Sequence, residues 1–339
     1  MPGAARHLAL HIGGALAAAL AVCVLPALVA TGLGDLWTLV LLPLSLAPLV
    51  VLVLFIDKVA GWMRAPVPFR VPLTVGQQRG LPSLPRRGCD NPHTWRELAG
   101  RAVLDLVLWR PLFRATPTAP GLGRGLPHGM ARSLWLGAGA FHASLAIVVL
   151  RHLRLALEPV PRCVAWLEDF DVATEMFLPK LHGTSILLLL ALLFLLGRRL
   201  VLPRLRCISL GADYFPLFLL IALAVTGLLM RHVTRTDVTV VKQFAIGLGA
   251  GQWLLPAHVD PWLLAHVGSA AALFCYFPLG KLMHMPGVLL SPTLTLANRT
   301  REARHINVGN PKVEVLHYAD YEAAFRERMI EAGLPVEKE

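Results

Sequence analysis

Residues 141–152 read FHASLAIVVLRH, and residues 266–284 read HVGSAAALFCYFPLGKLMH. Each is an apolar run with a histidine near either end, His142 and His152 ten residues apart, His266 and His284 eighteen apart. A spanning helix needs about 20 apolar residues, so each pair divides its histidines between the two halves of one membrane helix. Ionisable side chains inside a bilayer are costly and mark function. Neutral imidazole is a good axial ligand for haem iron, and facing helices of a bundle are a common place to hold such a cofactor.

Four further stretches are apolar over the same length, giving six spans at about Leu8–Ala30, Leu36–Ile56, Ser133–Leu153, Leu181–Leu200, Tyr214–Met230 and Trp262–Leu282. The second contains Pro43 and Pro48 and is expected to kink. The first is longer than a signal-peptide core and lacks a small-residue cleavage site after it, so it is expected to be retained as a helix. Composition agrees: 55% of the 339 residues are hydrophobic and 16% charged, well below the roughly 25% charged of a soluble domain. The fold expected is all-α, a polytopic bundle of about six transmembrane helices. It divides into two N-terminal helices (1–57), an Arg/Pro/Gly-rich loop (58–130), a four-helix core (131–286) and a polar tail (287–339).

Charge orients the bundle through the positive-inside rule. The first long loop carries eleven basic residues from Lys58 to Arg124, and the short turn after the fourth span carries Arg198, Arg199, Arg204 and Arg206 with no acid. The connection before the fourth span holds Glu158, Glu168, Asp169, Asp171 and Glu175. The basic loops and both termini are therefore expected in the cytoplasm of a multi-pass protein of the cell inner membrane. The formal net charge of +11 is confined to these loops without interleaved aromatics, which sets nucleic acid aside. Five scattered cysteines, Cys23, Cys89, Cys163, Cys207 and Cys275, show no spacing for zinc, an iron–sulfur cluster or covalent haem attachment. An amphipathic stretch at about Trp95–Trp109 and a helical piece near Tyr321–Ala332 read as docking surface, either for the membrane or for a partner.

The third and sixth spans run antiparallel in this topology. His142 then meets His284 near the cytoplasm, and His152 meets His266 near the outside, each pair able to clamp one iron. Eighteen residues make five whole turns of α-helix, whereas ten leave two rings about 80° apart in azimuth. Along the two axes the spacings correspond to about 15 Å and 27 Å, so the two irons fall in separate halves of the bilayer. A lone histidine at a helix end is usually an interfacial side chain; two pairs on antiparallel spans are what point to ligation. Gly137, Gly139 and Gly268 on these spans either admit a flat macrocycle or mediate plain helix packing.

FHASLAIVVLRH, the turn GRRLVLPRLRCISLGADYF leading into LLIALAVTGLL, and LAHVGSAAALFCYFPLGKLMHM occur in this order. Over about Ser133–Pro286 they resemble the nitrate reductase gamma-subunit family, membrane cytochromes b with two bis-histidine haems b. The resemblance implies His152 and His266 on the outer haem, His142 and His284 on the inner one, and a quinol or quinone as substrate at the outer face. The additional N-terminal helix, the Arg-rich loop and the tail LLSPTLTLANRTREARHINVGNP look more like the DsrM branch of sulfur metabolism. That branch implies a cytoplasmic iron–sulfur partner related to heterodisulfide reductase, with a second membrane subunit, a periplasmic cytochrome c and a periplasmic iron–sulfur protein. The direction of electron flow stays open.

Lys180 and His182 at the start of the fourth span and His232 at the end of the fifth are candidates for a quinol site. Interfacial anchoring is the plainer reading of all three. Arg151, Arg154 and Lys281 are candidates to meet haem propionates. Two rivals remain: a gamma subunit of a nitrate reductase proper, and a haem-free membrane anchor or transporter. The latter lacks the buried acids a proton path needs, since Asp57 and Asp213 lie at the cytoplasmic ends of their spans.

Overall fold

The computed structural model describes residues 2–32, 37–64, 88–110, 112, 128–174, 182–250, 260–290, 297–299 and 316–337, and every regular element among them is helical. In chain order these are α1 (Pro2–Gly32), α2 (Trp37–Arg64), α3 (Trp95–Val107), α4 (His128–Ala156), α5 (Arg162–Thr174) and α6 (Gly183–Val201). They continue with the short α7 (Pro203–Ile208), α8 (Gly211–Leu229), α9 (Val238–Gly249), α10 (Pro261–Tyr276), α11 (His284–Leu290) and α12 (Tyr318–Glu331).

Five of these, α1, α4, α6, α8 with its terminal turn, and α10, are long and apolar enough to cross a membrane. Their surfaces confirm the solvent: Leu136, Val149 and Leu150 of α4 and Leu187, Leu190 and Leu193 of α6 are exposed. A water-soluble bundle would bury such residues; here they face lipid. The protein is a multi-pass membrane protein. The expected second span is helical, unbroken through Pro43 and Pro48, yet α2 is not among the five spans identified in the described residues.

The sixth span departs from the sequence expectation at Pro278. Proline lacks an N–H and crowds the preceding turn, and α10 gives way to 3₁₀ turns at Phe277–Leu279 and Lys281–Met283 before α11 begins at His284. The five whole turns assumed between His266 and His284 are therefore not one continuous α-helix. At the other end α10 starts cleanly, because the Asp260 carboxylate accepts from the Trp262 amide at 2.9 Å and Pro261 occupies the first turn.

Helix α8 packs against α1, α6 and α10, α6 packs against α4, and α1 and α2 cover α10. The chain thus forms an arc, α4–α6–α8–α10, with His142 and His152 on α4, His266 on α10 and His284 at the start of α11 just beyond it. Among the described residues α4 and α10 do not pack closely against each other. Leu188, Leu192, Leu219, Leu263, Leu264 and Ala265 are buried where these helices pack. The amphipathic stretch is a helix, α3, opened by a reciprocal capping box between Thr94 and Glu97, and the tail forms α12.

Candidate haem and quinol sites

The structure brings the four histidines together as two pairs. The His142 and His284 ring centres lie 6.1 Å apart with planes at 88°, and the His152 and His266 ring centres lie 6.2 Å apart with planes at 9°. A metal-bound imidazole nitrogen sits about 2 Å from the metal and its ring centre about 1 Å beyond, so two imidazoles on one iron have centres about 6 Å apart. Both pairs have this separation, His152–His266 between α4 and α10 and His142–His284 between α4 and the start of α11. Among the described residues no group of three or more His, Cys, Asp or Glu forms a metal site.

Each ring has a hydrogen-bond partner at Nδ1. His142 Nδ1 lies 2.7 Å from the Ala138 carbonyl, His152 Nδ1 2.7 Å from the Val148 carbonyl and His284 Nδ1 2.8 Å from the Lys281 carbonyl. A carbonyl only accepts, so Nδ1 carries the hydrogen in all three and Nε2 keeps its lone pair. His266 Nδ1 instead meets Thr226 Oγ1 at 2.9 Å. Such outer partners fix the tautomer and the aim of a metal-binding ring.

Thr226 was not singled out in the sequence. The available signal was a hydroxyl in the apolar run LLIALAVTGLL, one of few polar groups on that span. Gly227 beside it also serves His266, since a Cβ there would stand 3.4 Å from His266 Cε1. The three glycines noted from sequence have protein neighbours: a Cβ at Gly137 would overlap the Phe194 ring, at Gly139 would touch Trp109, and at Gly268 would press on Pro26 and the Val22 carbonyl. Helix packing and close approach account for all three.

At the His152–His266 end, the fully buried Asp171 of α5 accepts from the Thr184 amide at 3.0 Å, the Thr184 hydroxyl at 2.5 Å and the Arg151 guanidinium. Asp171 thereby ties α5 to α4 and α6. His182, buried at the start of α6, lies within electrostatic reach of Arg151, Arg231, Asp171 and His232. Two of the three quinol candidates thus share this end; Lys180 lies outside the described residues. Arg154 pairs with Glu168 at 2.6 Å. At the opposite end Lys281 pairs with Asp213 at 2.5 Å, with Arg199 3.8 Å away, and Tyr276 donates to the Ala212 carbonyl at 3.0 Å.

Comparison with known proteins matches residues 129–299 to the nitrate reductase gamma subunit family. The chain is 35% identical over 263 residues to an Hdr-like menaquinol oxidoreductase cytochrome b-like subunit of Archaeoglobus fulgidus, covering 76% of this chain and 78% of that one. It is 35% identical over 267 residues to the subunit of the same description in Archaeoglobus profundus, covering 77% and 79%.

Proposed function

The chain belongs to the nitrate reductase gamma-subunit family of membrane proteins, and from that premise we propose that it is the dihaem cytochrome b subunit of a menaquinol-linked oxidoreductase complex. The observation that carries this reading is the pairing of four histidines at ring separations of 6.1 and 6.2 Å. His142 and His284 hold one haem b, and His152 and His266 the other. Bound haem supplies one-electron redox chemistry; the chain supplies ligands, burial and position. Arg151 and Lys281 are the cations nearest to a role with haem propionates, each already held by a carboxylate, Asp171 or Asp213.

The quinol binds at the His152–His266 end, where His182 and His232 accept its hydroxyl hydrogens and take its protons and Lys180 donates a hydrogen bond to its oxygen. The basic turn at Arg198 and Arg199 and the acidic α5 region support an orientation in the inner membrane with the His142–His284 end and both termini on the cytoplasmic side. There the subunit exchanges electrons with an iron–sulfur partner of the heterodisulfide-reductase type in dissimilatory sulfur metabolism. The description of the Archaeoglobus relatives supports the quinol and the partner class. Further membrane and periplasmic subunits complete the complex.

A reduced-minus-oxidised optical spectrum of the purified complex, with haem-to-protein stoichiometry, tests the reading. Two haems b per chain are expected in the wild type and one in His142→Ala or His266→Ala. A haem-free wild type overturns it and leaves an anchor or transporter. Co-purification of an iron–sulfur subunit supports the assigned branch, whereas a molybdenum-containing partner makes the chain a nitrate reductase subunit.

A further inference from the structure

Trp109 has a backbone φ of +46°, in the left-handed region that a bulky side chain adopts only when its surroundings enforce it. Both sequence neighbours are pinned. The Leu108 carbonyl accepts from Trp135 Nε1 of α4 at 2.8 Å. Arg110 donates to the Cys89 carbonyl at 2.8 Å and pairs with Asp90 at 2.9 Å. Arg101 adds a bond to the Asp90 carbonyl at 3.0 Å. Residues 88–110 are thus a platform braced against the start of α4, and the strained backbone turns the indole onto that helix.

The indole ends over Gly139, where a Cβ would stand 3.4 Å from its Cε3, with its centre 5.8 Å from that of His142 at an interplanar angle of 31°. Phe141 approaches His142 edge-on at 4.9 Å. Two aromatic rings therefore flank His142 besides His284. The chain beyond His284 returns to the same platform: the Asn298 amide donates to the Pro92 carbonyl at 2.6 Å, and its side chain donates to Asn91 at 2.5 Å.

We propose that Trp109, set by its left-handed backbone on the 88–110 platform, is a positioning residue that covers the His142–His284 site and excludes water from it. This rests on the dihaem reading. A hydrophobic shell controls solvent access and local dielectric, and through them the potential of an iron centre. Ferric iron carries one more positive charge than ferrous, so water admitted beside the site favours the ferric form. Removing the indole then lowers the midpoint potential of that haem alone.

The test is an optical redox titration, with electron paramagnetic resonance of the oxidised haems, on the intact complex of wild type, Trp109→Ala, Trp109→Gly and Trp109→Phe. One ligand pair is nearly parallel and the other perpendicular, which separates the two low-spin signals; His142→Ala assigns them. In the Ala and Gly variants the inner haem is expected to fall in potential and shift its signal, with the outer haem unmoved and Phe restoring most of both. Loss of the inner haem alone also supports the proposal. Both haems unchanged in the Ala and Gly variants overturn this inference while leaving the dihaem reading intact. Failure of both variants to assemble, or equal shifts at both sites, also overturns it, because a local cover decides neither. A wild type without two haems overturns the dihaem reading, and this inference with it.

Discussion

Thr226 Oγ1 lies 2.9 Å from His266 Nδ1 and 2.7 Å from the Ala222 carbonyl of its own helix. The hydroxyl has one hydrogen and gives it to the carbonyl, which accepts only. Its lone pair is left for His266 Nδ1–H, so this hydroxyl on α8 fixes the tautomer of a ring on α10. The other three paired histidines take their partners from their own chain within four residues; His266 alone among the four depends on another helix.

Thr226→Val keeps the shape and removes the acceptor. Loss of an outer partner costs about 10- to 100-fold in metal affinity. Haem titration into protein depleted of the cofactor is expected to show weakened binding at the His152–His266 site only. Thr226→Ser is expected to bind as wild type. An unchanged Val variant would mean that the ring is held by packing alone.

Gly268→Ala separates helix packing from cofactor approach. The added Cβ would lie 2.6 Å from Pro26 Cγ and 3.3 Å from the Val22 carbonyl, a rigid ring and a helix backbone, so α1 and α10 must move apart. Overpacking of this kind costs about 1–3 kcal/mol, and close van der Waals packing is what holds membrane helices together. Thermal unfolding in detergent is expected at lower temperature, with haem stoichiometry in the folded protein unchanged. Full stability with haem lost would instead give Gly268 to the macrocycle.

Asp171 is completely buried and bonded to Arg151 and Thr184. Taking one partner from a buried ion pair costs about 3–5 kcal/mol, whereas replacing both with apolar groups is often neutral. Asp171→Asn is expected to destabilise the protein strongly, and Arg151→Met with Asp171→Leu to recover most of the loss. A double-mutant cycle read by chemical denaturation in detergent measures the coupling, and additive losses would show that the pair does not act as a unit.

Five of the six expected spans, and which histidine rings face each other, were legible because apolar length and histidine position are local. Three things were not. The break at Pro278 leaves His284 opposite His142 even though the helix between His266 and His284 is interrupted, so the expected facing of these rings came from an idealised geometry. Thr226 sits forty residues before His266, and nothing local announces a bond across that gap. The role of Trp109 depends on a backbone angle set by Arg110, Asp90 and Trp135 together, which no single window of sequence contains.

Asp260 gives the start of α10 a pH dependence. Partial burial pushes its carboxyl up, but hydrogen bonds from Thr234, Thr236 and the Trp262 amide outweigh that and hold it below the usual carboxylate range. A depressed folded-state value means that the ionised form stabilises the fold. That contribution is complete above the unfolded value of about 4 and is lost as pH falls through the lower folded value. Because Asp260 caps α10 and also anchors the turn that ends α8, Asp260→Ala is expected to cost about 1 kcal/mol near neutral pH. Melting temperatures of the two proteins should converge as the pH is lowered through the folded value. A gap that persisted unchanged under acid would show that the cap acts through packing and not through its charge.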